Sequence, residues 1–66
     1  MVAVLASLRQ KEGLSQRELS RRLGLHIMTV AKIESGFRNL SLTEFLDIAG
    51  ELGADPSEVL RMASQE

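Results

Sequence analysis

The 66-residue sequence has no cysteine, tryptophan or tyrosine, and holds one proline, one histidine and two phenylalanines. Without cysteine, neither a disulfide framework nor a thiolate metal site can hold so short a chain together. The usual materials of catalysis are missing too: no Cys nucleophile, no His–carboxylate constellation, no glycine-rich phosphate loop after a strand and no cluster of metal ligands. A lone histidine makes no metal site. No apolar run approaches the ~18 residues of a membrane span, and the opening MVAVLASLRQKE lacks the basic start and small-residue cleavage site of a signal peptide. The expectation is a cytoplasmic protein that is not an enzyme and has no cofactor, membrane partner or small-molecule ligand. Residues 1–66 are expected to form one small domain, burying only about 60% of the unfolded surface. Its stability must come from apolar packing, with self-association as a further source.

The net charge of −1 argues against a nucleic-acid partner, because a domain that neutralises phosphates is usually basic overall. Its distribution argues the other way. Arg9, Lys11, Arg17, Arg21, Arg22, Lys32 and Arg38 face only Glu12, Glu18 and Glu34, so residues 9–38 carry +4; from Asn39 onward, Arg61 faces six acids, for −5. Such a two-sided chain suits one face turned to a polyanion and one turned away. The alternative is that both sets are solvated surface.

Helix signals recur along the chain. Ser15 with Glu18, Ser41 with Glu44 and Asp55 with Glu58 match the capping box or its Asp analogue. Pro56 occupies a first helical position, where its missing N–H costs nothing, and Gly13, Gly24, Gly36 and Gly53 each follow a helical stretch. The implied helices are roughly 2–12, 15–23, 26–35, 41–52 and 55–62, and no segment alternates as a strand would. The fold class is therefore all-α. Apolar residues at helical spacing nominate the core: Leu5, Leu8, Leu19, Leu23, Val30, Ile33, Leu42, Phe45, Ile48, Ala49, Leu52, Val59 and Leu60. Gly50 breaks the pattern as an interior helix glycine, costing about 1 kcal/mol relative to Ala.

The second and third helices are separated by only a few residues around Gly24, too few for an antiparallel hairpin but right for two helices meeting steeply. Such a corner needs a small residue at the contact, and Ser20 supplies it on the side facing Val30 and Ile33. This is a helix-turn-helix pattern over about 15–35, although an ordinary helical corner would read the same way.

The stretch LSQRELSRRLGLHIMTVAKIESGFRNLSL, followed by FLDIAGELGADPSEVL, resembles the phage repressor and Cro type, or Xre-like, helix-turn-helix family from about Leu5 to Leu60. The resemblance implies a compact five-helix, lambda-repressor-like domain that binds double-stranded DNA as a homodimer. The third helix would enter the major groove, on a two-fold-symmetric operator with half-sites about 34 Å apart. Carried over by position, the base-reading residues are Ile27, Met28 and Lys32. Thr29, Gln16, Arg17, His26, Arg38 and Asn39 fall at backbone-contacting positions, and Arg9 and Glu34 match a structural ion pair tying the first helix to the end of the third.

The sequence departs from the family pattern at several points. His26 stands where a Ser or Thr cap is usual, Phe37 where a basic residue is common and Leu40 where Pro is frequent. Ile27 and Met28 cannot hydrogen-bond to base edges but can pack on the C5-methyl of thymine, implying T-rich half-sites. The other reading buries them against a partner. Val59, Leu60, Met62 and Ala63 are candidate dimer contacts, or else the end of the monomer core. The function implied is a sequence-specific transcription regulator, a dimeric repressor; the alternative is a protein-interaction module that kept the fold and lost specific DNA binding.

Overall fold

The computed structural model describes residues 1–65. Among them are five helices: α1 (Val2–Lys11), α2 (Gln16–Arg22), α3 (Thr29–Ser35), α4 (Leu42–Glu51) and α5 (Pro56–Ser64). Each of α2, α4 and α5 starts on the residue after a side-chain cap: Ser15 Oγ accepts from the Glu18 N–H, Ser41 Oγ from the Glu44 N–H, and an Asp55 carboxylate oxygen from the Ser57 N–H. These bonds satisfy donors that a helix start otherwise leaves orphaned.

A second device acts at the same three starts. The residue before each cap, Leu14, Leu40 or Ala54, packs against an apolar cluster that includes the residue four positions into the helix, Leu19, Phe45 or Val59. This hydrophobic staple fixes the angle at which the chain enters the helix. The cluster itself joins Val4 and Leu5 of α1, Leu19, Val30, Phe45, Ile48, Leu52 and Val59, so every helix contributes to one core. Ile33 and Ala49 are buried with it.

Three sequence expectations are corrected. Leu42, nominated for the core, is 73% exposed. It is the first residue of α4 and lies on the edge of the stripe Phe45, Ile48, Ala49 and Leu52, while Leu40 before the cap fills the space at that end. Leu60 is likewise exposed, because Val59 takes the inward position on α5. The third helix begins at Thr29 rather than residue 26. His26 to Met28 form a tight turn in which the Thr29 N–H donates to the His26 carbonyl at 2.9 Å.

The corner between α2 and α3 follows from Gly24. Its φ of +71° is a left-handed conformation that a Cβ would strain. That geometry lets the Gly24 N–H reach the Arg21 carbonyl at 3.0 Å and the Leu25 N–H reach the Ser20 carbonyl at 3.0 Å, the paired closure of a Schellman motif. The chain therefore leaves α2 abruptly and enters α3 after six intervening residues, 23–28, with the two helices packed together.

Candidate nucleic-acid interface

One buried hydroxyl and one exposed imidazole hold the corner together. Ser20 is fully buried, and its hydroxyl oxygen accepts from the Val30 N–H at 3.0 Å. Since the α3 start has no side-chain cap of its own, the cap comes from the neighbouring helix. His26 contributes a second bond: its Nδ1 accepts from the Met28 N–H at 3.2 Å. A neutral ring accepting at Nδ1 carries its proton on Nε2, and the side chain is exposed, so that N–H can donate outward.

Arg9 ties α1 to the far end of α3. Its Nε donates to Glu34 Oε2 at 2.8 Å, its Nη2 to Glu34 Oε1 at 3.1 Å and its Nη1 to the Leu14 carbonyl at 2.6 Å. The guanidinium is buried, so a two-pronged carboxylate and a carbonyl together supply the partners that desolvation demands. Gln16 joins the same node through Nε2, donating to Glu34 Oε1 at 2.8 Å. Thus Gln16, placed from the sequence at the DNA backbone, spends one amide hydrogen on positioning α2 against α3. The sequence reading missed this third member. Its signal was the Gln residue type at the first position of α2, with Glu34 already assigned to the node.

Four of the seven basic residues between 9 and 38 are engaged with carboxylates. Besides Arg9, Arg21 Nη2 lies 2.6 Å and Arg22 Nε 3.7 Å from Glu18 Oε1, and Arg38 pairs with Glu44. The Arg21 guanidinium, hydrogen-bonded to Glu18, holds that carboxyl below its ordinary value, and Arg38 does the same for Glu44. Arg17 and Lys32 are exposed and make no ion pair with a described residue. The positive charge available to a polyanion on α2 and α3 therefore concentrates on these two side chains.

Met28, Lys32 and Gln16 line one open groove of about 740 Å³, together with Ala31, Ser35 and Phe37. Ile27 is exposed in the turn before α3, and Thr29, half-buried, is the first residue of the helix. Arg38 and Asn39 are exposed in the loop just beyond Phe37. The four candidate dimer residues do not stay together. Val59 is 1% exposed and belongs to the monomer core, which removes it from any surface contact, and Ala63 packs against the same core. Leu60 and Met62 remain exposed on α5.

The packed α2–α3 corner, the Arg9–Glu34–Gln16 node and the open groove that shares Gln16 with it define a helix-turn-helix domain. The family model described as helix-turn-helix matches residues 5–59, and the chain belongs to this Xre/Cro-like family of DNA-binding transcription regulators. No curated protein matches the chain. No helix among the described residues is long and apolar enough to cross a membrane.

Proposed function

We propose that the protein is a sequence-specific, cytoplasmic repressor that binds double-stranded DNA as a homodimer and reads the major groove with the turn and helix 26–35. The observation that carries this reading is the convergence of Gln16, Met28 and Lys32 on one groove in front of a corner whose every buried side-chain polar atom is satisfied among the described residues. Rigid support of that kind lets a few side chains hold a fixed register on a duplex.

Each residue has a distinct part. Ile27 and Met28 offer apolar contact to a thymine methyl, and Lys32 offers a donor to guanine or phosphate. Arg17, the second hydrogen of the Gln16 amide, Thr29 and the outward Nε2–H of His26 meet phosphates, fixing orientation without reading sequence. Arg38 and Asn39 extend that contact along the loop. Arg9 and Glu34 act through α2 and α3 rather than on DNA.

For the dimer, Leu60 and Met62 are the exposed apolar residues of α5, and a second copy is their natural cover. The protein measures 30 × 23 × 19 Å, so two abutting copies can set equivalent segments about 34 Å apart, one helical turn of DNA.

The test is selection of bound duplexes from a randomised library at moderate salt. A two-fold-symmetric site with half-sites one helical turn apart is expected. Only weak, salt-sensitive, unselective binding would instead favour a protein-interaction module on the same fold.

A further inference from the structure

Phe37 is 89% exposed, contributes almost nothing to the core, and yet is not loosely held. Gly36 before it has φ +85°, and the N–H groups of Phe37 and Arg38 both donate to the Lys32 carbonyl, at 3.0 and 3.3 Å. The loop is thereby folded back on the last turn of α3. Phe37 becomes a wall of the groove whose other apolar surfaces are Met28 and Ala31, with Lys32 as the only charged residue among the described residues that line it.

We infer that Phe37 is a specificity-determining residue, closing with Met28 and Ala31 a groove that takes the C5-methyl group of one thymine in duplex DNA. The inference rests on the DNA-reading function proposed above. Three features favour this occupant. The walls are apolar, matching a methyl group, and the groove is open, so the edge of a base in a duplex can enter it. The charged group at the site is a cation, which donates hydrogen bonds and accepts none. Thymine places an acceptor, O4, beside its methyl, whereas 5-methylcytosine places an amino donor there. Lys32 therefore pairs with the first and opposes the second.

The experiment uses the full chain and the duplex recovered by selection, with each thymine replaced in turn by uracil, which removes only the methyl. Binding is followed by fluorescence anisotropy at fixed salt. At one position, uracil is expected to weaken binding about fourfold, equivalent to the ~0.8 kcal/mol of one buried methylene-sized group at about 1.4 kcal/mol per tenfold. Phe37→Ala is expected to lose most of the thymine–uracil difference, while Phe37→Leu keeps more of it. A 5-methylcytosine–guanine pair at that position is expected to bind more weakly than thymine–adenine. Because Phe37 is outside the core, unchanged thermal unfolding of both variants is expected to show that folding is intact. A uracil effect absent at every position overturns the inference while leaving site-specific binding in place. So does an effect undiminished in Phe37→Ala. Failure to recover any specific site overturns the proposed function itself, and this inference with it.

Discussion

The hydroxyl of Ser20, inside α2, accepts a hydrogen bond from the backbone N–H of Val30 at 3.0 Å, so one helix caps the next across the corner. The same residue's carbonyl accepts from Leu25 at 3.0 Å to close α2. Ser20 thus joins the end of one helix to the start of the other. Alanine at this position would keep the small size but leave the Val30 N–H buried without a partner. Ser20→Ala is expected to destabilise the fold by about 1–3 kcal/mol, read as a lower urea midpoint at unchanged slope. Ser20→Val adds volume at a fully buried site and is expected to lose more.

The Arg9–Glu34–Gln16 node predicts a larger effect. Removing the carboxylate leaves a buried guanidinium and an amide without their acceptor, and breaking a buried pair in this way costs about 3–5 kcal/mol. Small domains hold only about 5 kcal/mol or little more in reserve. Glu34→Ala is therefore expected to be only marginally stable, with a thermal midpoint by circular dichroism brought down toward room temperature. Gln16→Ala, which leaves the ion pair intact, is expected to remain folded.

Much of this fold was legible in the sequence because helix boundaries are local chemistry. The caps at Ser15, Ser41 and Asp55 and the glycine stops needed only neighbours a few residues away. The reciprocal half of the capping box was less legible. It forms at Ser41, where Glu44 Oε1 accepts from the Ser41 N–H at 3.2 Å. Glu18 and Glu58 instead bond Arg21 and Arg61, three residues on, whereas Glu44 is followed at that spacing by Asp47. A competing guanidinium one turn ahead decides the outcome. The start of α3 was misplaced because its cap comes from Ser20, ten residues earlier, and no local pattern records that. The groove was legible only in part: Met28, Lys32 and Gln16 came from the motif, while Phe37 joins them through the loop closure after Gly36.

Gly50 gives a prediction of opposite sign. It sits inside α4 with no left-handed backbone to require it, and a Cβ there would meet nothing within 4 Å. Gly50→Ala is expected to stabilise the protein by about 1 kcal/mol, seen as a higher thermal midpoint. Gly36→Ala, at φ +85°, is expected to lower it.

Stability should fall in acid. Glu18, Glu44 and Asp55 are all held below their ordinary values, chiefly by hydrogen bonds from Arg21, Arg38 and Ser57 respectively. The unfolded chain therefore binds protons at higher pH than the folded one. The stabilisation is fully present above the unfolded carboxylate values, near pH ~4, and is lost as pH drops through the lower folded values. Urea midpoints measured from pH 7 downward are expected to stay level and then fall below about pH 4–5. In Glu44→Gln the fall should be shallower.

Arg38 links stability to DNA binding through the same carboxylate. It pairs with Glu44 and lies in the loop proposed to approach the DNA backbone, so a phosphate must compete with Glu44 for the guanidinium. Glu44→Gln removes the competing charge while its amide oxygen can still accept from the Ser41 N–H. The variant is expected to bind duplex DNA more tightly at low salt than the wild type, at a modest cost in stability. Arg38→Ala is expected to weaken binding and to reduce the slope of log affinity against log salt by about 0.9, the value for one phosphate contact. Lys32→Ala is expected to weaken binding as well, and Ile27→Gln to change which sequences are selected. A salt slope unchanged in Arg38→Ala would place that side chain off the DNA and leave its partnership with Glu44 as its whole role.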